Sequence, residues 1–125
     1  MKWWMTLIFD AAWVLIFAVI GRLSHGEGLA PYDVLVTAWP FIVALLGTTV
    51  ALFSMNKPTD QLLYGAIVWL GTLMFGMWIR ADSGAGLEPS FVVVAGSFLA
   101  VGMLGWRWIA LRRGVVTPRA TSSDS

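Results

Sequence analysis

Two ionisable residues inside otherwise apolar runs carry the clearest chemical signal in this sequence. Asp10 stands two turns into a run that begins at Trp3, and Arg107 stands inside another that ends at Arg112 and Arg113. A charged side chain at the centre of a membrane helix costs about 2.5–3.5 kcal/mol on insertion scales, so such groups face a bundle interior and take partners. By helical rise, each lies on the order of 10 Å inside the same membrane face. The expectation is an Asp10–Arg107 ion pair tying the first helix to the last. Such a pair limits the cost of insertion without necessarily adding stability. Two roles fit it: a fixed strut, or a carboxylate that takes up a proton or cation during transport.

A second group gathers Arg22, His25, Glu27, Asp33, Arg80, Asp82 and Glu88 in two short connections on the opposite face. Two convergent guanidinium groups bind a carboxylate or phosphate well, including a lipid head group, which makes Arg22, His25, Asp33, Arg80 and Glu88 a candidate anion site. The plainer reading is that Arg22 and Arg80 each end a helix, where a cation is favoured, and pair with local acids. His25 is the sole histidine and the natural group for acid–base work at neutral pH. One His and no Cys do not make a zinc site, and no positioned nucleophile stands beside it. The expectation is a protein with no catalytic residues, no metal and no cofactor.

The elements that must hold these residues follow from composition. Of the 125 residues, 58% are hydrophobic and only 12% charged, against about 25% charged in a soluble domain. Eight Trp suit a chain with aromatic anchors at two interfaces. The net charge of +1 is uninformative, and no basic stripe points to nucleic acid, so the expected partner is the lipid bilayer. Four windows, about 3–21, 33–53, 62–79 and 91–111, reach the roughly 20 apolar residues that a spanning helix needs. Short connections rich in Gly and Pro force an up-down-up-down bundle, so the expected class is an all-α, four-transmembrane-helix protein over residues 1–113. The first helix, preceded only by Lys2 and followed by no small-residue cleavage site, reads as an uncleaved anchor.

Lys and Arg set the expected orientation. Lys2, Lys57, Arg107, Arg112, Arg113 and Arg119 fall on one side, and Arg22 and Arg80 on the other. That bias predicts a multi-pass protein of the cell membrane with both termini cytoplasmic. Residues 114–125, rich in Ser and Thr, read as a disordered cytoplasmic tail.

An offset of 58 residues lays R-L-S-H-G-E-G-L-A-P (Arg22 to Pro31) on R-A-D-S-G-A-G-L-E-P (Arg80 to Pro89). Five positions match without a gap, and Phe17, Val34 and Gly47 meet Phe75, Val92 and Gly105 in the same register. The expectation is a duplicated hairpin, with repeats of about 1–58 and 59–116. The alternative is that any hairpin wants Arg at the interface, Gly to turn and Pro to restart. Pro40 removes a donor from the Val36 carbonyl, and a kink there would open a crevice. Trp13, Pro40 and Trp69 are accordingly the candidate cavity-lining residues. Gly65, Gly71 and Gly76 in helix 3, with Gly96, Ala100, Gly102 and Gly105 in helix 4, permit close packing within the bundle or a homodimer or larger membrane complex through those faces.

Asp10, G-R-L-S-H at Gly21–His25, P-F at Pro40–Phe41, Arg80, S-F at Ser90–Phe91 and L-G-W-R at Leu104–Arg107 together resemble the domain of unknown function 3054 family. These are small four-helix membrane proteins, found chiefly in actinobacteria and haloarchaea. The resemblance covers nearly the whole chain before the tail. It implies that Asp10, Arg22, His25, Arg80 and Arg107 belong to the shared pattern, and it brings no established activity with it. Three functions compete on these residues. A structural or complex-forming membrane component fits the glycine-rich faces and the absence of a catalytic signature. A small-solute or ion-coupled transporter using Asp10 is similar in size and helix number to the small multidrug exporters, although those carry Glu where this chain has Asp. A lipid-modifying enzyme at the outer Arg/His cluster is the third. A crevice reaching Asp10 would favour transport; a closed core would favour the structural role.

Overall fold

The computed structural model describes residues 2–24, 26, 28, 30–84 and 88–116. They form four α-helices in chain order: α1 (Trp3–Ser24), α2 (Pro31–Ser54), α3 (Leu62–Asp82) and α4 (Pro89–Arg112). Each is long and apolar enough to cross a membrane. α1 packs on α2, α2 on α3, α3 on α4, and α4 returns to α1, which closes a ring. At the proximal end α1 begins, α2 meets α3 and α4 finishes. The other two connections lie at the distal end. Large apolar side chains, among them Ile8, Phe9, Leu70, Met74, Trp78 and Val101, point outward from all four helices. In water that surface would be an aggregation patch; in a bilayer it is the solvated face. The chain is a multi-pass membrane protein.

The helices run further than hydropathy alone predicts. Arg22 and Arg80 belong to the last turns of α1 and α3, not to the connections, and α2 and α4 begin at Pro31 and Pro89. Proline favours that first helical position because its missing N–H has no helical partner there anyway. Pro40 does not break α2, which continues unbroken to Ser54.

An offset of 58 residues carries the bounds of α2 onto those of α4. The left-handed residues fall in the same register: Gly26 with Gly84, and Asn56 with Gly114. So do the bonds that close α2 and α4. The Lys57 amide donates to the Leu52 carbonyl and the Val115 amide to the Ala110 carbonyl, both at 2.9 Å. This is the usual reversal at a helix C-terminus.

The same closure corrects the expected start of the tail. Residues 114–116 fold back on α4, where the Val116 amide also donates to Ala110 and its side chain is buried. An apolar Val beside a left-handed Gly is held by the helix end and is not an extension into solvent. The tail expected from 117 onward lies outside the described residues.

Val14, Phe17, Phe41, Leu45, Val68, Leu99 and Met103 fill the interior. Phe17 meets Phe41 edge-on at 5.7 Å and Phe98 at 5.8 Å, so an aromatic cluster links α1, α2 and α4.

Candidate functional site

The polar centre lies at the proximal end. Asp10 on α1 and Arg107 on α4 are both fully buried and bonded side by side: Arg107 Nη2 donates to Oδ2 at 2.8 Å and Nη1 to Oδ1 at 3.0 Å. The planar guanidinium fork matches the carboxylate in a way that an ammonium would not. Trp106 Nε1 donates to the same Oδ1 at 2.8 Å. Arg107 Nη1 also donates to the Met103 carbonyl one turn back, at 2.8 Å. Its Nε donates to the Thr59 carbonyl at 2.9 Å. A cation taken out of water persists only when its donors find partners, and four of the five N–H groups of Arg107 do so here.

Thr59 belongs to the connection between α2 and α3, which is tucked into the bundle. Pro58, Thr59, Asp60 and Gln61 are all buried. The hydroxyls of Thr59 and Thr6 share a hydrogen bond of 2.8 Å, and Gln61 Nε2 donates to Asp60 Oδ1 at 3.1 Å. Room for the arginine comes from Gly65 on α3, where a Cβ would collide with the Arg107 side chain. Thr6, Thr59 and Asp60 carry no signal of this in the sequence, because a polar connection gives no sign of facing inward; Gly65 stands there as a close-packing glycine, and what packs on it is Arg107.

The Thr49 and Thr72 hydroxyls are also buried, with no hydrogen-bond partner among the described residues. Thr49 lies five residues from the end of α2, as Arg107 does from the end of α4. Helical rise therefore places it at the depth of the ion pair.

The residues expected to line a cavity do something else. Trp13 Nε1 donates to the Phe98 carbonyl at 2.8 Å, while its ring stacks on Phe98 at 4.7 Å and occupies the space left by Gly102. Trp69 Nε1 donates to the Gly96 carbonyl at 2.9 Å. The two indoles grip α4 from α1 and from α3. Pro40 is buried, and the neighbouring Phe41 fills the notch at Gly76. An open groove of about 570 Å³ does exist, but it lies between α3 and α4 and is lined by neither Trp13, Pro40 nor Trp69.

Five of the seven small residues on α3 and α4 pack against neighbouring side chains within the bundle. Thr48 packs on Gly71 and Leu73 on Gly96, besides the contacts at Gly65, Gly76 and Gly102. Only Ala100 and Gly105 of that set line the groove.

At the distal end Arg22 donates through Nε to the Gly28 carbonyl and through Nη1 to Thr37 Oγ1 at 3.0 Å, both within the α1–α2 hairpin. Arg80 stacks on the ring of Phe91 at 4.2 Å, reaching from α3 to α4. Asp33 lies against Gly28, and Glu88 is exposed just before α4. No described contact joins Arg22 to Arg80. His25 and Glu27 lie outside the described residues. Among the described residues no three His, Cys, Asp or Glu side chains gather as a metal site.

In comparison with known proteins, the family described as a protein of unknown function (DUF3054) matches residues 7–110. No curated protein and no solved structure matches.

Proposed function

The chain belongs to the DUF3054 family, and we propose that it works there as a non-enzymatic, complex-forming component of the cell membrane, with the Asp10–Arg107 pair as a fixed tie between its first and last helices. One observation carries this reading. Asp10 is fully buried among the described residues and accepts from Arg107 and Trp106, and the groove between α3 and α4 is not lined by it. A coupling carboxylate must meet water or substrate at some stage of its cycle, and would have to leave three charge-assisted or indole bonds to do so. A strut needs only to stay.

The test separates holding from coupling. Reconstituted in vesicles with an internal pH indicator, the protein is expected to pass no proton or cation flux that depends on Asp10. Asp10→Asn should lower thermal stability in detergent and leave the leak unchanged. A flux present in the native chain and lost in a folded Asp10→Asn variant would establish the transport reading instead. For orientation, the placing of Lys2, Lys57, Arg107, Arg112 and Arg113 at the proximal end supports that end as cytoplasmic. Reporter fusions after residue 116 should be active inside the cell.

A further inference from the structure

The tie leaves the groove between α3 and α4 unexplained. Ala66 with Leu62 and Leu63 forms one wall, and Ala100, Val101, Leu104 and Gly105 form the other. Its volume, about 570 Å³, is in the range of small-molecule sites, roughly 300–1,000 Å³. It runs beside α4 from Ala100 to Trp108, about 12 Å at the helical rise, and is open to the lipid side. Nearly all of its lining is hydrocarbon, so its ligand is hydrocarbon too. The proximal mouth differs. Trp108 closes it, and one turn on, Arg112 lays its guanidinium over the Trp108 ring at 5.2 Å, with Arg113 exposed beside it. The Trp108 indole N–H makes no hydrogen bond to the described residues.

The rest of the chain provides an internal control. Fifty-eight residues earlier, where helix ends and left-handed residues keep the same register, Ala66 and Ala100 are replaced by Ile8 and Ile42, Trp108 by Val50, and Arg112 by Ser54. Gly105 keeps a counterpart in Gly47, but the two alanines that open the groove, the aromatic at its mouth and the cation beyond it occur together in one hairpin and are absent at the matching positions of the other. A slot made only by loose packing would not bring its own interface anchor and cation.

We propose that this groove holds one acyl chain of an anionic phospholipid, with the phosphate on Arg112 and the ester region at the Trp108 indole N–H. Apolar groove, amphipathic ring and cation then follow the order of parts in a lipid, from chain through ester to head group. The membrane-spanning character of the helices is assumed; the role of the Asp10–Arg107 tie is not.

Native mass spectrometry of the full chain, released from vesicles of equal phosphatidylglycerol and phosphatidylcholine content, tests this and reads oligomeric mass in the same spectrum. The native chain should keep one phospholipid, with phosphatidylglycerol preferred about fivefold, the effect of one cation near an anionic surface. Arg112→Ser, at an exposed helix end, should abolish the preference while one lipid is still retained. Ala100→Ile, which copies position 42, should lose the lipid; Ala66→Val is the milder alternative if that chain does not fold. Equal retention of both lipids by the native chain overturns the proposal, as does lipid retention unaffected by filling the groove. A dimer mass that Ala100→Ile converts to monomer, with no bound lipid, would also overturn it and assign the groove to a second copy.

Discussion

Arg107 distributes its donors over three parts of the molecule: Asp10 on α1, the Thr59 carbonyl of the α2–α3 connection, and its own helix at Met103. Removing either charge leaves the other buried and unpaired, which costs about 3–5 kcal/mol. Asp10→Asn and Arg107→Met should each lower the melting midpoint in detergent, and the double variant should recover part of the loss; strictly additive losses would show that the two side chains do not act together. Gly65→Ala should cost about 1–3 kcal/mol by pushing on the Arg107 stem, whereas Gly47→Ala, with open space around it, should be neutral or slightly stabilising. Thr49→Val removes an unpartnered hydroxyl and should hold or raise the midpoint. A marked loss would reveal a partner for that oxygen.

At the scale of elements, spans and neighbours were legible because hydrocarbon demands about 20 apolar residues and short connections leave little choice of topology. The helix ends were less so. Arg22, Pro31, Arg80 and Pro89 are the residue types that terminate helices, and a sequence does not say whether such a residue lies just inside or just outside the end. The Asp10–Arg107 contact was legible because two costly groups at one depth have few ways to be satisfied. Its surroundings were less so: Thr59 contributes a backbone carbonyl, which leaves no pattern, and Gly65 was legible as a close-packing glycine but not as the room for Arg107. Trp13 and Trp69 misled for a related reason. An indole within a membrane helix suits a cavity wall or a hydrogen bond to a neighbouring backbone equally well, and only the position of α4 decides. Trp13→Phe and Trp69→Phe should each cost about 0.5–1.5 kcal/mol, the worth of one hydrogen bond, and raise amide exchange near residues 96–102. Unchanged exchange there would mean that the indoles do not hold α4.

For the molecule as a whole, the joint between its two hairpins lies at Asn56, exposed and left-handed, just before the buried stretch that Arg107 holds. Residues 1–56 and 57–125, made as separate chains in one cell, should assemble and purify together, since the tie, the Thr6–Thr59 bond and the Trp13 grip all cross the cut. Asp10→Asn in the first fragment should reduce recovery several-fold. Undiminished recovery would mean that apolar packing alone joins the halves.

The tie also sets a schedule. Asp10 and Arg107 are separated by 97 positions, and a ribosome adding about 5–20 residues per second needs roughly 5–20 s to make that stretch. Through that interval the carboxylate has been made and its partner has not, so α1 leaves the ribosome and enters the bilayer before Arg107 exists to pair with it. The newborn chain is most exposed to quality-control proteases then, and chains stalled before Arg107 should be cleared faster than the same stalled chains carrying Asp10→Asn.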